Sequence, residues 1–268
     1  MHTQKQLQND LNQLSLAKGD MVYVHASLRA VGPIDGGADA LIDAFLDVIG
    51  PEGTIAVPTH TLSYPGFGQP PFAPGLPTIA DVGIFPEIVR KRPGVFRSGH
   101  ASHSTAAIGK HAKTLTENHD PCVAVGLNTP LHKLWQMDGK ILLLGVTHRV
   151  NTSVHLAESL VKVPYLFMPY NAAWGIATYE RLPDGTVNEY VQAELPGCGN
   201  EFNKLQPLLE VKGKVRSGHV GNAVSYLMKS RDLIAEAVAL LEEDNTVFLC
   251  RKENCMCCVP KWEFMRLL

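Results

Sequence analysis

No apolar run in this 268-residue chain approaches the ~20 residues that a membrane-spanning helix needs. The first twenty residues are polar, so neither a signal peptide nor an anchor is expected, and the location expected is cytoplasmic. An excess of one charge is also missing. With 24 basic and 26 acidic residues the net charge is −2, which gives no electrostatic basis for binding nucleic acid or an anionic membrane surface. No Gly-x-Ser-x-Gly elbow occurs, which argues against a hydrolase nucleophile. One long segment lacks acids altogether. Thr59 to Thr78 holds Pro65, Pro70, Pro71, Pro74 and Pro77, three glycines and the aromatics Tyr64, Phe67 and Phe72, but no carboxylate. Flexible linkers rarely carry such aromatics, so this stretch reads as an ordered loop of the kind that covers a site.

What is present describes an ordinary globular chain, 45% hydrophobic and 19% charged. No composition break marks a boundary, so residues 1–268 read as one domain with a cysteine-rich tail at 250–268. Leu7, Leu11 and Leu14 give an amphipathic helix over 4–17. Met21 to His25 reads as a buried strand, Leu41 to Ile49 as a helix stopped by Gly50-Pro51, and Thr54 to Val57 as the next strand. That order is a βαβ unit with a parallel pair. Further strands are expected at 105–109 and 141–146, with helices around Phe85 to Val89 and from Pro130. Beyond Val163 the pattern turns antiparallel. Tyr165 to Ala177, Tyr190 to Leu195, Gly213 to Val220 and Val247 to Leu249 read as extended, and Ala223 to Leu241 as the longest helix.

The stretch with the clearest chemistry is Asn151-Thr152-Ser153-Val154-His155-Leu156-Ala157-Glu158. It follows the buried strand Ile141 to Val146 after a short polar loop, and Asn151 or Thr152 can cap a helix there. Three residues apart, His155 and Glu158 share a helix face. A histidine with an acidic neighbour just beyond a buried strand is where α/β proteins place chemistry. The spacing alone fits a structural surface pair equally well.

Four stretches together resemble the aminoglycoside 3-N-acetyltransferase family. They are His25-Ala26-Ser27-Leu28-Arg29-Ala30-Val31-Gly32, Arg97-Ser98-Gly99-His100 through Ser104 to Gly109, Leu143-Leu144-Gly145-Val146 through Asn151 to Glu158, and Gly218 to Ala223. In order and spacing they span nearly the whole chain. The resemblance implies an α/β fold of three layers, α/β/α, with a mixed central sheet and, from the pattern above, additional antiparallel strands in the C-terminal half. It implies acetyl-CoA as co-substrate and a small-molecule primary amine as acceptor. By the same resemblance His155 is the general base, Glu158 its orienting partner or an ammonium holder, and Thr152 a hydrogen-bond donor to the thioester region. Ser27, Leu28, Arg29, Arg97, Ser98, His100 and Ser104, with Lys110, are the candidates for holding the coenzyme. A thioester hydrolase and an inactive acyl-CoA-binding module are the alternatives on the same fold, and a homodimer is a candidate assembly.

Two departures qualify the resemblance. His100-Ala101 stands where the family usually has His-Pro, and Thr105 replaces a more usual aromatic. Aminoglycosides are polycations, yet the 59–78 loop offers no carboxylate and only Glu158, Asp81 and Asp35 remain near the motifs. A less cationic acceptor is therefore expected, with a true aminoglycoside acetyltransferase that confers antibiotic resistance as the alternative. The tail is the second departure. Cys250, Cys255, Cys257 and Cys258 lie close together, with Cys198 upstream. Cys-x4-Cys-x2-Cys plus one more thiolate can close a zinc site, but the spacing is irregular and cytosolic cysteines are often small hydrophobes. No metal ligand is assigned from sequence.

Overall fold

The computed structural model describes residues 1–64, 68–168 and 177–268. Pro65, Phe67 and most of the stretch expected to be extended between Tyr165 and Ala177 lie outside the described residues. The centre is a seven-stranded mixed sheet. Its strands are β1 (Met21–Ala26), β2 (Thr54–Pro58), β3 (Phe96–Arg97), β4 (Thr105–Gly109) and β5 (Lys140–Leu144), joined by two strands from the C-terminal half. A separate hairpin pairs β6 (Ala177–Arg181) with β7 (Val187–Val191). The last two sheet strands are β8 (Val215–Val220) and β9 (Ala223–Lys229), giving the order β3-β4-β2-β1-β5-β9-β8. β1 is parallel to β2 and β5, while the outer pairings are antiparallel.

Both faces of the inner strands are covered, which explains why they read as continuous apolar runs. Val22, Val24, Ile55, Val57, Leu142 and Leu144 pack on one face with α1 (Gln4–Gln13) and α3 (Gly37–Ile49). Met21, Tyr23, Ala56, Ile141 and Leu143 pack on the other, against α6 (Pro130–Gln136), α7 (His155–Val161) and α9 (Ser230–Glu243). This is the expected three-layer arrangement. The short helices are α2 (Leu28–Val31), α4 (Ile84–Arg90), α5 (Ala112–Thr116), α8 (Leu205–Val211) and α10 (Val259–Met265). No helix among the described residues is long and apolar enough to cross a membrane.

Three local expectations are corrected. The helix expected over Ala223 to Leu241 divides into β9 and α9. Ala223 and Leu227 face one core while Tyr226 and Met228 face the other, a period of two that the longer helical pattern conceals, and Val224 is 47% exposed. Val247 to Leu249 forms turns, and Phe248 is buried edge-on to Phe202 with a centroid distance of 5.1 Å. The strand expected near Tyr190 to Leu195 ends at Val191, where its hairpin partner begins.

Candidate active site

β1, β2 and β5 end side by side, and a cleft of about 540 Å³ opens at that edge. Residues 25–29 line it from the end of β1 onward, Pro58 and His60 from the end of β2, and Val146 with residues 149–152 beyond β5. The crevice beyond the carboxyl ends of parallel strands is where open α/β sheets bind ligands.

The turn after β1 is fixed by its own backbone. Ser27 N–H donates to Leu144 O at 2.9 Å, and Ser27 Oγ caps α2 by accepting from the Ala30 N–H at 3.4 Å. Gly145 closes the same corner with φ +67°, and a Cβ there would meet the Ala30 Cβ at 2.4 Å. Only glycine lets the two turns approach this closely.

The Asn151 to Glu158 segment winds in two stages. Asn151 Oδ1 accepts from the Ser153 N–H at 3.2 Å, holding a 3₁₀ turn over Thr152–Val154 that runs into α7. His155 thus sits at the mouth of α7, with its ring edge-on to Phe202 at 4.9 Å. His155 Nδ1 lies 2.5 Å from Glu158 Oε2. A carboxylate only accepts, so Nδ1 carries the hydrogen and Nε2 is the basic nitrogen. Glu158 is 1% exposed, and its other oxygen accepts from the Tyr165 hydroxyl at 2.7 Å. Burial, with the Glu158 carboxylate, pushes the Tyr165 hydroxyl strongly upward, so it stays protonated as a donor. Behind Tyr165, the buried Lys261 of α10 donates to Tyr165 O at 3.0 Å and to Leu195 O. Burial pulls the Lys261 ammonium below its usual range.

Other histidines surround the cleft. His60 and His103 pack with their rings tilted at 50° and centroids 4.5 Å apart, and both line it with His25. Burial, reinforced by neighbouring imidazoles, lowers His25 and His103 to about 3. They are neutral at physiological pH.

The residues singled out from sequence separate into two groups. Ser27, Leu28, Arg29, Thr152 and His155 line one cleft, with Glu158 directly behind His155. Arg97, Ser98, His100 and Ser104 do not line it. Arg97 donates to Ser104 Oγ at 3.1 Å, Pro74 O at 2.9 Å, Leu76 O at 2.5 Å and Thr59 O at 2.9 Å, and its guanidinium lies 5.0 Å over the Phe72 ring. Ser98 Oγ accepts from the Thr105 N–H, and His100 Nε2 meets Gln192 Oε1 at 3.1 Å. Arg97 and Ser104 brace the 59–78 loop against the 97–105 segment, whereas Ser98 and His100 hold that segment's own turn and tie it to Gln192. Lys110 pairs with Glu52. Tyr64 and Phe72 face inward too: Tyr64 donates to Ser102 Oγ and Phe72 is 1% exposed. The loop instead offers His60 and Leu62 to the cleft. Arg149 and Phe202 also line it and were not singled out. Arg149 lies inside the strand-to-helix loop that leads to His155, so position could have indicated it. No sequence signal joins Phe202, Tyr165 or Lys261 to the site.

A sequence profile described as Aminoglycoside 3-N-acetyltransferase matches residues 23–242. Among curated relatives, Aminoglycoside N(3)-acetyltransferase IV of Salmonella sp is 32% identical over 246 residues, covering 91% of this chain and 89% of the relative. A solved structure of AAC(3)-IVa, a histidine-to-alanine mutant in complex with a gentamicin, is similar with TM-score 0.84 and 30% identity. It covers 96% of this chain and 95% of that one. The binary complex of AAC-IIIb with CoASH gives TM-score 0.78 and 29% identity over 90% of this chain and 96% of that one.

Proposed function

The chain belongs to the aminoglycoside 3-N-acetyltransferase family, and from that membership we propose that it transfers an acetyl group from acetyl-CoA to a primary amine of a small molecule, as one domain, with His155 as general base. The observation that carries this is the 2.5 Å contact between His155 Nδ1 and Glu158 in the wall of the strand-end cleft. With Nδ1 donating to the carboxylate, Nε2 accepts a proton from the amine nitrogen as that nitrogen attacks the thioester carbon. The C–S bond then breaks, and the coenzyme thiolate leaves and takes that proton from the imidazolium, which restores His155. Glu158 stabilises the imidazolium formed in between. No acyl-enzyme is needed, so transfer is direct within a ternary complex.

The co-substrate is held at the same edge. Ser27 N–H is committed to Leu144, so the first-turn N–H groups of Leu28 and Arg29 are the donors offered to the thioester or its oxyanion. Thr152 hydrogen-bonds the same region. Arg29 and Arg149, exposed at the cleft, meet the coenzyme's phosphates. Arg97 and Ser104 act on donor binding through the loop they brace, and Ser98 and His100 through the turn that carries His103.

The acceptor is less cationic than a typical aminoglycoside. Of Asp35, Asp81 and Glu158, only Asp81 lines the cleft, and Glu158 is enclosed behind His155. Among the described residues a polycation would meet one exposed carboxylate alongside two arginines. Steady-state acetylation of aminoglycosides beside simpler amino sugars and amino-acid amines tests this. Low KM values confined to aminoglycosides would sink the acceptor assignment and leave the family's own substrates in its place. For the base, His155→Ala should retain acetyl-CoA binding by calorimetry while kcat falls by ~10²–10⁴. Free thiol released at an undiminished rate without any amine would point to a hydrolase.

A further inference from the structure

Outside the cleft, four cysteines from distant parts of the chain converge. Cys198, Cys250, Cys255 and Cys258 have sulfurs that all lie within 4.8 Å of one another. Cys198 Sγ is 3.4 Å from Cys258 Sγ, 3.6 Å from Cys250 Sγ and 3.7 Å from Cys255 Sγ. A disulfide brings its sulfurs to ~2.05 Å, so none of these contacts is one. Tetrahedral zinc with Zn–S bonds of ~2.3 Å sets its ligand sulfurs ~3.8 Å apart. Three of the six edges of an S₄ tetrahedron thus have nearly that length, and the other three are no longer than 4.8 Å. A cluster of several irons would hold its cysteines farther apart.

We propose that Cys198, Cys250, Cys255 and Cys258 bind one zinc ion in a closed structural site. All four positions are taken by protein sulfur, so the site has no open position for substrate and serves to cross-link. Its surroundings suit a doubly negative tetrathiolate. Asn200 Nδ2 donates to Cys198 Sγ at 3.1 Å and reaches Cys250 Sγ at 3.6 Å, while Asn200 Oδ1 accepts from Lys252 Nζ at 3.3 Å. One amide thus orients two ligands and brings a cation close. Trp262 Nε1 donates to Cys250 O at 3.0 Å, tying the ligand loop to α10.

The structural need is local. From Leu249 to Cys258 the chain has turns but no helix or strand, and α10 starts at the next residue. α10 places Lys261 beneath Tyr165, the donor to Glu158. A metal staple across residues 198, 250, 255 and 258 holds that helix in place where backbone pairing does not.

The test is metal content of the full chain, purified under reducing, chelator-free conditions and measured by elemental mass spectrometry for zinc and iron. About one zinc per chain is expected. Cobalt exchanged into the site should give thiolate-to-cobalt charge transfer and the intense visible bands of tetrahedral coordination. The double variant Cys255→Ser/Cys258→Ser should lose zinc at least ~10-fold, and Asn200→Ala should weaken zinc affinity ~10-fold at unchanged stoichiometry. Cys257→Ser and Cys122→Ser, outside the cluster, should retain the metal. Wild-type protein that takes up zinc neither during expression nor on addition to the reduced chain overturns the proposal. So does stoichiometric iron in place of zinc, or full zinc in the double variant. If that variant is insoluble, the wild-type cobalt spectrum decides, and a spectrum without the charge-transfer band overturns it.

Discussion

Replacing Glu158 by glutamine tests the base assignment more sharply than deleting His155, because the shape stays while the proton pattern changes. Tyr165, held protonated by burial, donates to one Glu158 oxygen at 2.7 Å, and His155 Nδ1 contacts the other at 2.5 Å. In Glu158→Gln the Tyr165 hydroxyl selects the amide oxygen, which turns the amide NH₂ towards His155. Nδ1 must then accept, and the hydrogen moves to Nε2, the nitrogen needed as base. A wrong tautomer of this kind can remove nearly all general-base assistance, so kcat should fall by ~10²–10⁴, or about 3–5 kcal/mol in the barrier. KM for acetyl-CoA should change little, since Glu158 is 1% exposed and touches no cleft surface. Adding Tyr165→Phe removes the bias on the amide and should recover ~10-fold of the loss, an effect opposite to additive damage. The assay is thioester loss at saturating acetyl-CoA with the best amine, alongside ¹⁵N imidazole shifts that report the tautomer. A Glu158→Gln enzyme within about threefold of wild type, or a slow one whose Nδ1 remains protonated, would refute the reasoning.

Further predictions concern the frame around the site. Arg97→Ala should destabilise the chain by about 2–4 kcal/mol in denaturant titrations and expose the 59–78 loop to proteolysis, because the guanidinium ties Thr59, Pro74 and Leu76 together. Arg97→Lys should restore little, since an ammonium lacks the fork; an unchanged midpoint in either variant contradicts this. Gly145→Ala should cost about 1–3 kcal/mol, from φ +67° and the Ala30 contact, and a neutral result would mean that the corner relaxes freely. Acid should unfold the protein early. Burial lowers His25 and His103 to about 3 and His119 and His148 to about 4, against ~6.5 when unfolded. The unfolded chain therefore binds more protons, so this stability is complete above about pH 6.5 and is lost as pH falls towards about 4 for His119 and His148 and about 3 for His25 and His103. Each histidine contributes up to ~1.4 kcal/mol per pH unit, and a flat stability profile between about pH 7 and pH 5 would falsify the burial argument.

Residue order alone was enough for the parts of this protein that depend on neighbours along the chain. The buried strands at 21–26, 54–58 and 140–144 appear as apolar runs because helices cover both their faces. His155 and Glu158 meet because they lie three residues apart on one helix. The four motifs resemble the family through their order and spacing along the chain. Segments with two compatible periodicities were not legible: Ala223 to Lys229 joins the sheet because β5 and β8 offer it edges on both sides, a fact held by those strands and not by its own residues. The same limit applies to Arg97, whose charge suggests a phosphate ligand until the fold surrounds it with carbonyl acceptors. Tertiary structure alone decides which cysteines converge, and which groups stand behind the histidine. Tyr165 reaches Glu158 only after α7 ends in the left-handed turn at Lys162, and Lys261 arrives from the far end of the chain. Contacts between residues that distant in sequence exist only once the backbone has closed around them.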